Sequence, residues 1–222
     1  MAIAENGPGG NHRGRLGNVV YYVLNGKNVS REIGITTKEP TEPQLRSRLV
    51  TKLTSPLMSR MLDFINVGFA AIAKEAQDNA FNQAKKFNKE DLVKGSYPDL
   101  EIAYDKLLIS KGPLKGAENW QVTQVAHGLQ FSWATDPDMP WPEVTDQVMT
   151  LAYFPIKEKV IFNLFGKARA EGSDVLEIPP SLQGEYMETY MSFITADRTK
   201  VANSTYTGHF NLLNPENLIL IP

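Results

Sequence analysis

The chain has 222 residues, 42% hydrophobic and 22% charged, proportions that suit a globular core in one or two domains and argue against disorder or a membrane protein. It contains no cysteine, which excludes disulfides, thiolate metal centres and cysteine nucleophiles. No run approaches the ~18 uninterrupted apolar residues of a spanning helix, and the first 17 residues lack the pattern of a secretory signal. The expectation is therefore cytoplasmic synthesis, with any virion or extracellular role reached by another route.

The net charge of −2 conceals an asymmetry. Residues 1–60 hold nine cations against four carboxylates, +5, whereas the remainder holds 14 against 21, −7. Such a distribution steers an anionic partner to the front of the chain, or favours head-to-tail contact between copies.

Residues 1–17 are glycine-rich and polar and read as a flexible arm. A β-branched and aromatic run, 18–24, then meets Asn25-Gly26 and a second run to 33, the pattern of a β-hairpin, because Asn and Gly both tolerate positive φ. Two strands alone are marginal in water, so this hairpin needs something to pack on. Thr41-Glu42-Pro43-Gln44 reads as a capping box opening a helix. Pro56 predicts a kink or restart, and a second piece to about 79 places Leu57, Met61, Phe64, Ile65, Phe69, Ile72 and Ala76 on one face toward the core. Residues 80–97 read as a polar connector with a short helix, and 100–110 as a strand.

From Trp120 onward, short alternating runs are separated by turns at regular spacing. Seven strands are expected, near 121–125, 128–134, 146–154, 159–165, 168–178, 185–194 and 201–213. Leu129, Phe131 and Trp133 share one face and point to the core, whereas either face of 185–194 could be buried. The fold class is α+β, mainly β: an N-terminal hairpin and long kinked helix, then an antiparallel sandwich. The division expected is an arm at 1–17, a hairpin and helical region at 18–118, and the sandwich at 119–222.

The last segment resembles the immunoglobulin/fibronectin type III sandwich in Trp133, in Leu176-Glu177-Ile178 before Pro179-Pro180-Ser181-Leu182, and in its tyrosine-rich penultimate strand. The run from Arg15-Leu16-Gly17-Asn18 through Asn25-Gly26-Lys27, Ser30-Arg31, Thr41-Glu42-Pro43-Gln44, Ile109-Ser110-Lys111-Gly112 and Phe131-Ser132-Trp133 resembles a Bacteroidota family whose domain has no known function. That resemblance implies a fused hairpin, helix and sandwich in bacteria and their viruses, and carries no catalytic residue across.

No catalytic set assembles from the residues. The glycines from Gly7 to Gly17 precede a hairpin where a phosphate loop needs a strand before it and a helix after it, and no Gly-Lys-Ser/Thr follows. Asp136, Asp138, Glu143 and Asp146 offer hard oxygens for Ca²⁺, without the spacing of a calcium hand. His12, His127 and His209 lie in separate segments, and the pairs Glu185/Glu188 and Glu171/Asp174 would need a cleft to act as acid and base. No cofactor and no metal is expected, and nucleic acid is disfavoured because acids are interspersed among the basic residues. The reading is a non-enzymatic assembly protein whose partner is itself, with interface residues Arg13, Arg15, Val19, Tyr21, Tyr22, Arg31 and Trp141; the alternative is a sandwich that binds a protein or glycan through its loops.

Overall fold

The structure, a computed structural model, describes residues 2–5, 11–24, 26–35 and 37–212. The chain divides into two compact units, 1–41 and 42–222. The class is α+β with more strand than helix, in several antiparallel sheets.

The first unit is a four-stranded antiparallel sheet in the order β1 (Ala2–Glu5), β2 (Asn11–Leu16), β3 (Val19–Leu24), β4 (Lys27–Glu32). The β3–β4 hairpin has the expected extent, with Leu24 opposite Lys27 and Gly26 at φ 75°, where a Cβ would be strained. The segment expected as a flexible arm instead supplies two strands: β2 pairs with β3, and β1 with β2. The β2 run Asn11-His12-Arg13-Gly14-Arg15 has no apolar alternation, so the pattern that marks a strand is missing there. The glycine-rich stretch 6–10 and Asn25 lie outside the described residues.

The second unit begins with α1 (Glu42–Arg60), starting at the expected capping segment. It runs through Pro56 as one helix, so of the kink or restart expected there the restart does not occur. Pro56 is exposed, so the carbonyl it leaves unpaired meets water, and the flanking Thr54, Leu57 and Met58 hold the helix by their burial. The interruptions fall at Met61 and Phe69 instead, before α2 (Leu62–Gly68) and α3 (Ala70–Glu75). Neither position carries a breaker residue; both side chains are fully buried, and core packing sets the turns. Asn79 caps α4 (Ala80–Asn88), its side-chain oxygen accepting from the Asn82 amide at 2.8 Å.

Residues 100–110 are not one strand. A two-stranded hairpin, β5 (Val93–Ser96) and β6 (Asp99–Ile102), is followed by a 3-10 turn at Tyr104–Lys106 and extended chain. The Asn88 side chain ties this extended chain to α4, accepting from the Leu108 amide and donating to the Leu108 carbonyl, both at 2.8 Å.

The seven later strands appear where expected: β7 (Gln121–Val125), β8 (Gly128–Ser132), β9 (Gln147–Phe154), β10 (Lys159–Asn163), β11 (Ser173–Glu177), β12 (Met187–Ile194) and β13 (Thr205–Phe210). They form sheets of order β10-β9-β12-β13 and β11-β8-β7. One core lies between them, with Leu129, Phe131 and Trp133 against Val148, Phe154, Met191 and Phe193. The opposite face of the larger sheet carries Met149, Leu151, Tyr153, Tyr190 and Ile194, and packs on Met58, Phe64, Ile65 and Phe69 of the helices. This settles the open assignment of 185–194: β12 is buried on both faces because helices cover the second. The helical region and the sandwich therefore share one body.

Candidate interaction surface

Pleating sorts the N-terminal sheet into two faces, since cross-strand partners share a face and successive residues alternate. Arg15 lies opposite Val20, Arg31 opposite Val20 on the other side, and Tyr22 opposite Val29. Arg13, Arg15, Tyr22 and Arg31 consequently share a face, with Lys27 opposite Leu24 at its end. Val19 and Tyr21 occupy the other face, where Val19 opposes Glu32 and the Tyr21 ring lies 5.7 Å from that of His12. Of the interface residues read from sequence, four are thus brought together, two lie behind them, and Trp141 belongs to the second unit.

Among residues 12–24, 26–35 and 37–41 none is buried, and the first residue described as buried is Thr54. Leu16 is 61% exposed and Leu24 54% exposed. Leu16 lies opposite Val19 on the other face, whereas the face holding Tyr22 joins Leu24 to four cations, none of which makes an ion pair among the described residues. Arg15 is oriented by donating from Nε to the Gly17 carbonyl at 2.9 Å, across the β2–β3 turn. β4, with Lys27 and Arg31, forms one edge of the sheet.

In the second unit Trp141 is 78% exposed, held between Pro140 and Pro142. The carboxylates expected beside it as calcium ligands separate. Asp136 accepts from the Asp138 amide at 2.9 Å, whereas Asp146 is buried and lies 3.3 Å from Arg169. Burial pushes the Asp146 carboxyl up and the Arg169 guanidinium down. Arg169 is nevertheless well held: it donates to the Lys115 carbonyl at 2.7 Å and to Gly116 at 3.2 Å, and stacks 3.7 Å from the centre of the Phe193 ring. No group of three potential ligands is arranged for a metal among the described residues.

The remaining chemical candidates resolve into structural contacts. Glu185 pairs with Lys157 at 3.1 Å, while the buried Glu188 carboxylate accepts from the Tyr186 and Tyr206 hydroxyls. Burial, then the hydrogen bond to Glu188, pushes both phenols well above their ordinary range. Glu171 is exposed, whereas Asp174 accepts from the Val175 amide at 2.9 Å. His127 sits in the β7–β8 turn and His209 on β13, near Tyr206.

With this geometry in place, the family comparison is informative: the model of a family of unknown function, DUF6266, matches residues 11–208. The chain belongs to this family. The DUF6266 match runs from the start of β2 into β13, so it includes Arg13, Arg15, Val19, Tyr21, Tyr22, Arg31 and Trp141 together with both sheets of the body. No curated protein and no solved structure matches the chain.

Two features of this DUF6266 protein were missed from sequence. Nothing in the sequence singles out Arg169, and only its carbonyl partners and Phe193, distant in sequence, reveal a buried role. A cavity of about 650 Å³ between α1 and α4 was also missed, though Lys85, Lys86 and Lys89 stand close together in sequence and could have been read as one basic helix edge.

Proposed function

We propose that the protein is a non-enzymatic assembly component that self-associates through its N-terminal sheet. The observation that carries this is a four-stranded sheet in which none of residues 12–24 and 26–32 is buried, with an aromatic, apolar and cationic face. A sheet of this size ordinarily gains its stability from a covered face. The acidic remainder of the chain supplies complementary charge for a second copy, and edge strand β4 offers backbone groups for strand addition. Repeated head-to-tail, such a contact builds rings or filaments, as in a virion-like component. We read the body as fibronectin type III-like and the family as one of Bacteroidota. The first, second and fifth strands in one sheet and the others in the second support the former, and the order of the N-terminal motifs supports the latter.

Both apolar clusters of the body begin at or after Leu57, so a chain starting at Glu42 keeps its whole core. Negative-stain imaging of that chain should show dispersed particles where the full chain shows regular assemblies. Identical assemblies from both would overturn the reading.

One observation favours a second reading, a sandwich that binds a protein or glycan through its loops: the exposure of Trp141 on a proline-flanked loop. Loss of partner capture in Trp141→Ala, with assembly unchanged, would support it.

A further inference from the structure

The cavity between α1 and α4 has a floor of Val50, Met58 and Leu92, and Arg46, Lys85, Lys86 and Lys89 line it. No carboxylate lines it. The polar groups of the floor are already used: Thr54 donates to the Val50 carbonyl at 2.9 Å, and the Asn88 amide is spent on Ala84 and Leu108. Lys85 lies 5.8 Å from the centre of the Phe81 ring and donates to Ser55 Oγ at 3.1 Å. Arg46 and Lys89 make no hydrogen bond or ion pair among the described residues. The nearby Asp78 is engaged by Asn79, Asn82 and Gln83.

We infer that this cavity binds a small amphipathic anion, its apolar body on Val50 and Met58 and its acidic head against Arg46 and Lys89. Three observations combine. The volume lies within the few hundred to about 1,000 Å³ that ligand pockets occupy. The uncommitted charged groups are all cations, with the neutral Ser47 hydroxyl beside them, so recognition is of negative charge. Val50, which lines the cavity, is only half-buried, so apolar surface remains to be covered there. The cationic face of the N-terminal sheet of a second copy is disfavoured as occupant by like charge. All the lining residues belong to 42–222, and the inference stands independently of the assembly proposal.

The test is a fluorescence titration of the full chain with anilinonaphthalene sulfonate and with the uncharged phenylnaphthylamine. The anionic dye should saturate at one site and bind at least about tenfold tighter than the neutral one, and about 0.5 M NaCl should erase most of the difference. Arg46→Glu with Lys89→Glu, both exposed positions, should weaken the anionic dye about tenfold and spare the neutral one. Val50→Trp, which fills the cavity, should abolish both, and circular dichroism of each variant confirms its fold. Equal affinity for the two dyes, or anionic binding indifferent to both sets of substitutions, would overturn the inference. So would an acidic peptide that binds more tightly than the dye and displaces it. Because particle formation is not read in this experiment, its failure leaves the assembly proposal untouched, and the converse holds.

Discussion

A Cβ placed on Gly68 would lie 2.4 Å from the carbonyl oxygen of Ile109 and 2.7 Å from the Ser110 Cβ. The absence of a side chain at the end of α2 lets the extended segment after β6 run against the helix, where Lys111 donates its amide to the Gly68 carbonyl at 3.0 Å. Gly68→Ala is expected to destabilise the body by about 1–3 kcal/mol, the range for overpacking a buried site. Urea denaturation followed by circular dichroism measures it.

Arg169 ties the loop at 115–116 to the 3-10 turn before β9 and to the core, with Trp133 donating from Nε1 to its carbonyl at 2.7 Å. Arg169→Met should cost about 3–5 kcal/mol, because Asp146 is left buried without its cation. Asp146→Leu combined with it should cost less than the sum of the two single changes, and a double-mutant cycle on unfolding free energies reads the coupling.

Burial pushes the Tyr104 phenol up to about 12, the nearby Tyr153 and Glu188 adding to the effect, and burial also raises Tyr153, Tyr186, Tyr190 and Tyr206. A folded pKa above the unfolded value of about 10 means the stabilisation is complete below that pH and is lost as pH rises toward the folded values. Phenolate absorbance and ellipticity should therefore change together in a steep transition above about pH 10. Smooth ionisation of all the tyrosines with the fold intact would contradict this packing.

The Asp197 carboxylate accepts from the Thr195 hydroxyl at 2.6 Å, the Thr199 hydroxyl at 2.8 Å and the Thr199 amide at 3.0 Å, closing the β12–β13 connection. These bonds, that from Thr195 foremost, hold its pKa at about 2. The depressed value contributes stability above the ordinary carboxylate pKa of about 3.9 and loses it as pH falls through the folded value. Asp197→Ala should melt below the parent at neutral pH, with the gap shrinking between about pH 4 and 2.

Where local chemistry decides structure, the sequence was readable. Asn25-Gly26 marked the hairpin, Thr41 to Gln44 marked the start of α1, and the alternation from Trp120 marked seven strands. It was unreadable where tertiary packing decides. Pro56 stays inside a helix because the Lys52 carbonyl it leaves unpaired lies on the exposed side, and Met61 interrupts one for the sake of the core. Glu188 and Ser192 sit buried in β12 because Tyr206 and Ser110, distant in sequence, join the neighbouring Tyr186 in meeting them. On the N-terminal sheet, alternation along β3 was enough to separate Tyr21 from Tyr22, but placing Arg13, Arg15 and Arg31 beside Tyr22 required the registers of β2 and β4. The cavity between α1 and α4 joins segments some 40 residues apart, which no local pattern connects.

The central claim is that the face bearing Arg15, Tyr22 and Arg31 joins copies of the chain. Light-scattering mass after size exclusion, on the full chain and on Tyr22→Asp, tests it most directly. The account expects the full chain at a multiple of 24.8 kDa and the variant at the single-chain mass, with its circular dichroism unchanged. A full chain at the single-chain mass, or a variant that assembles like its parent, would contradict it.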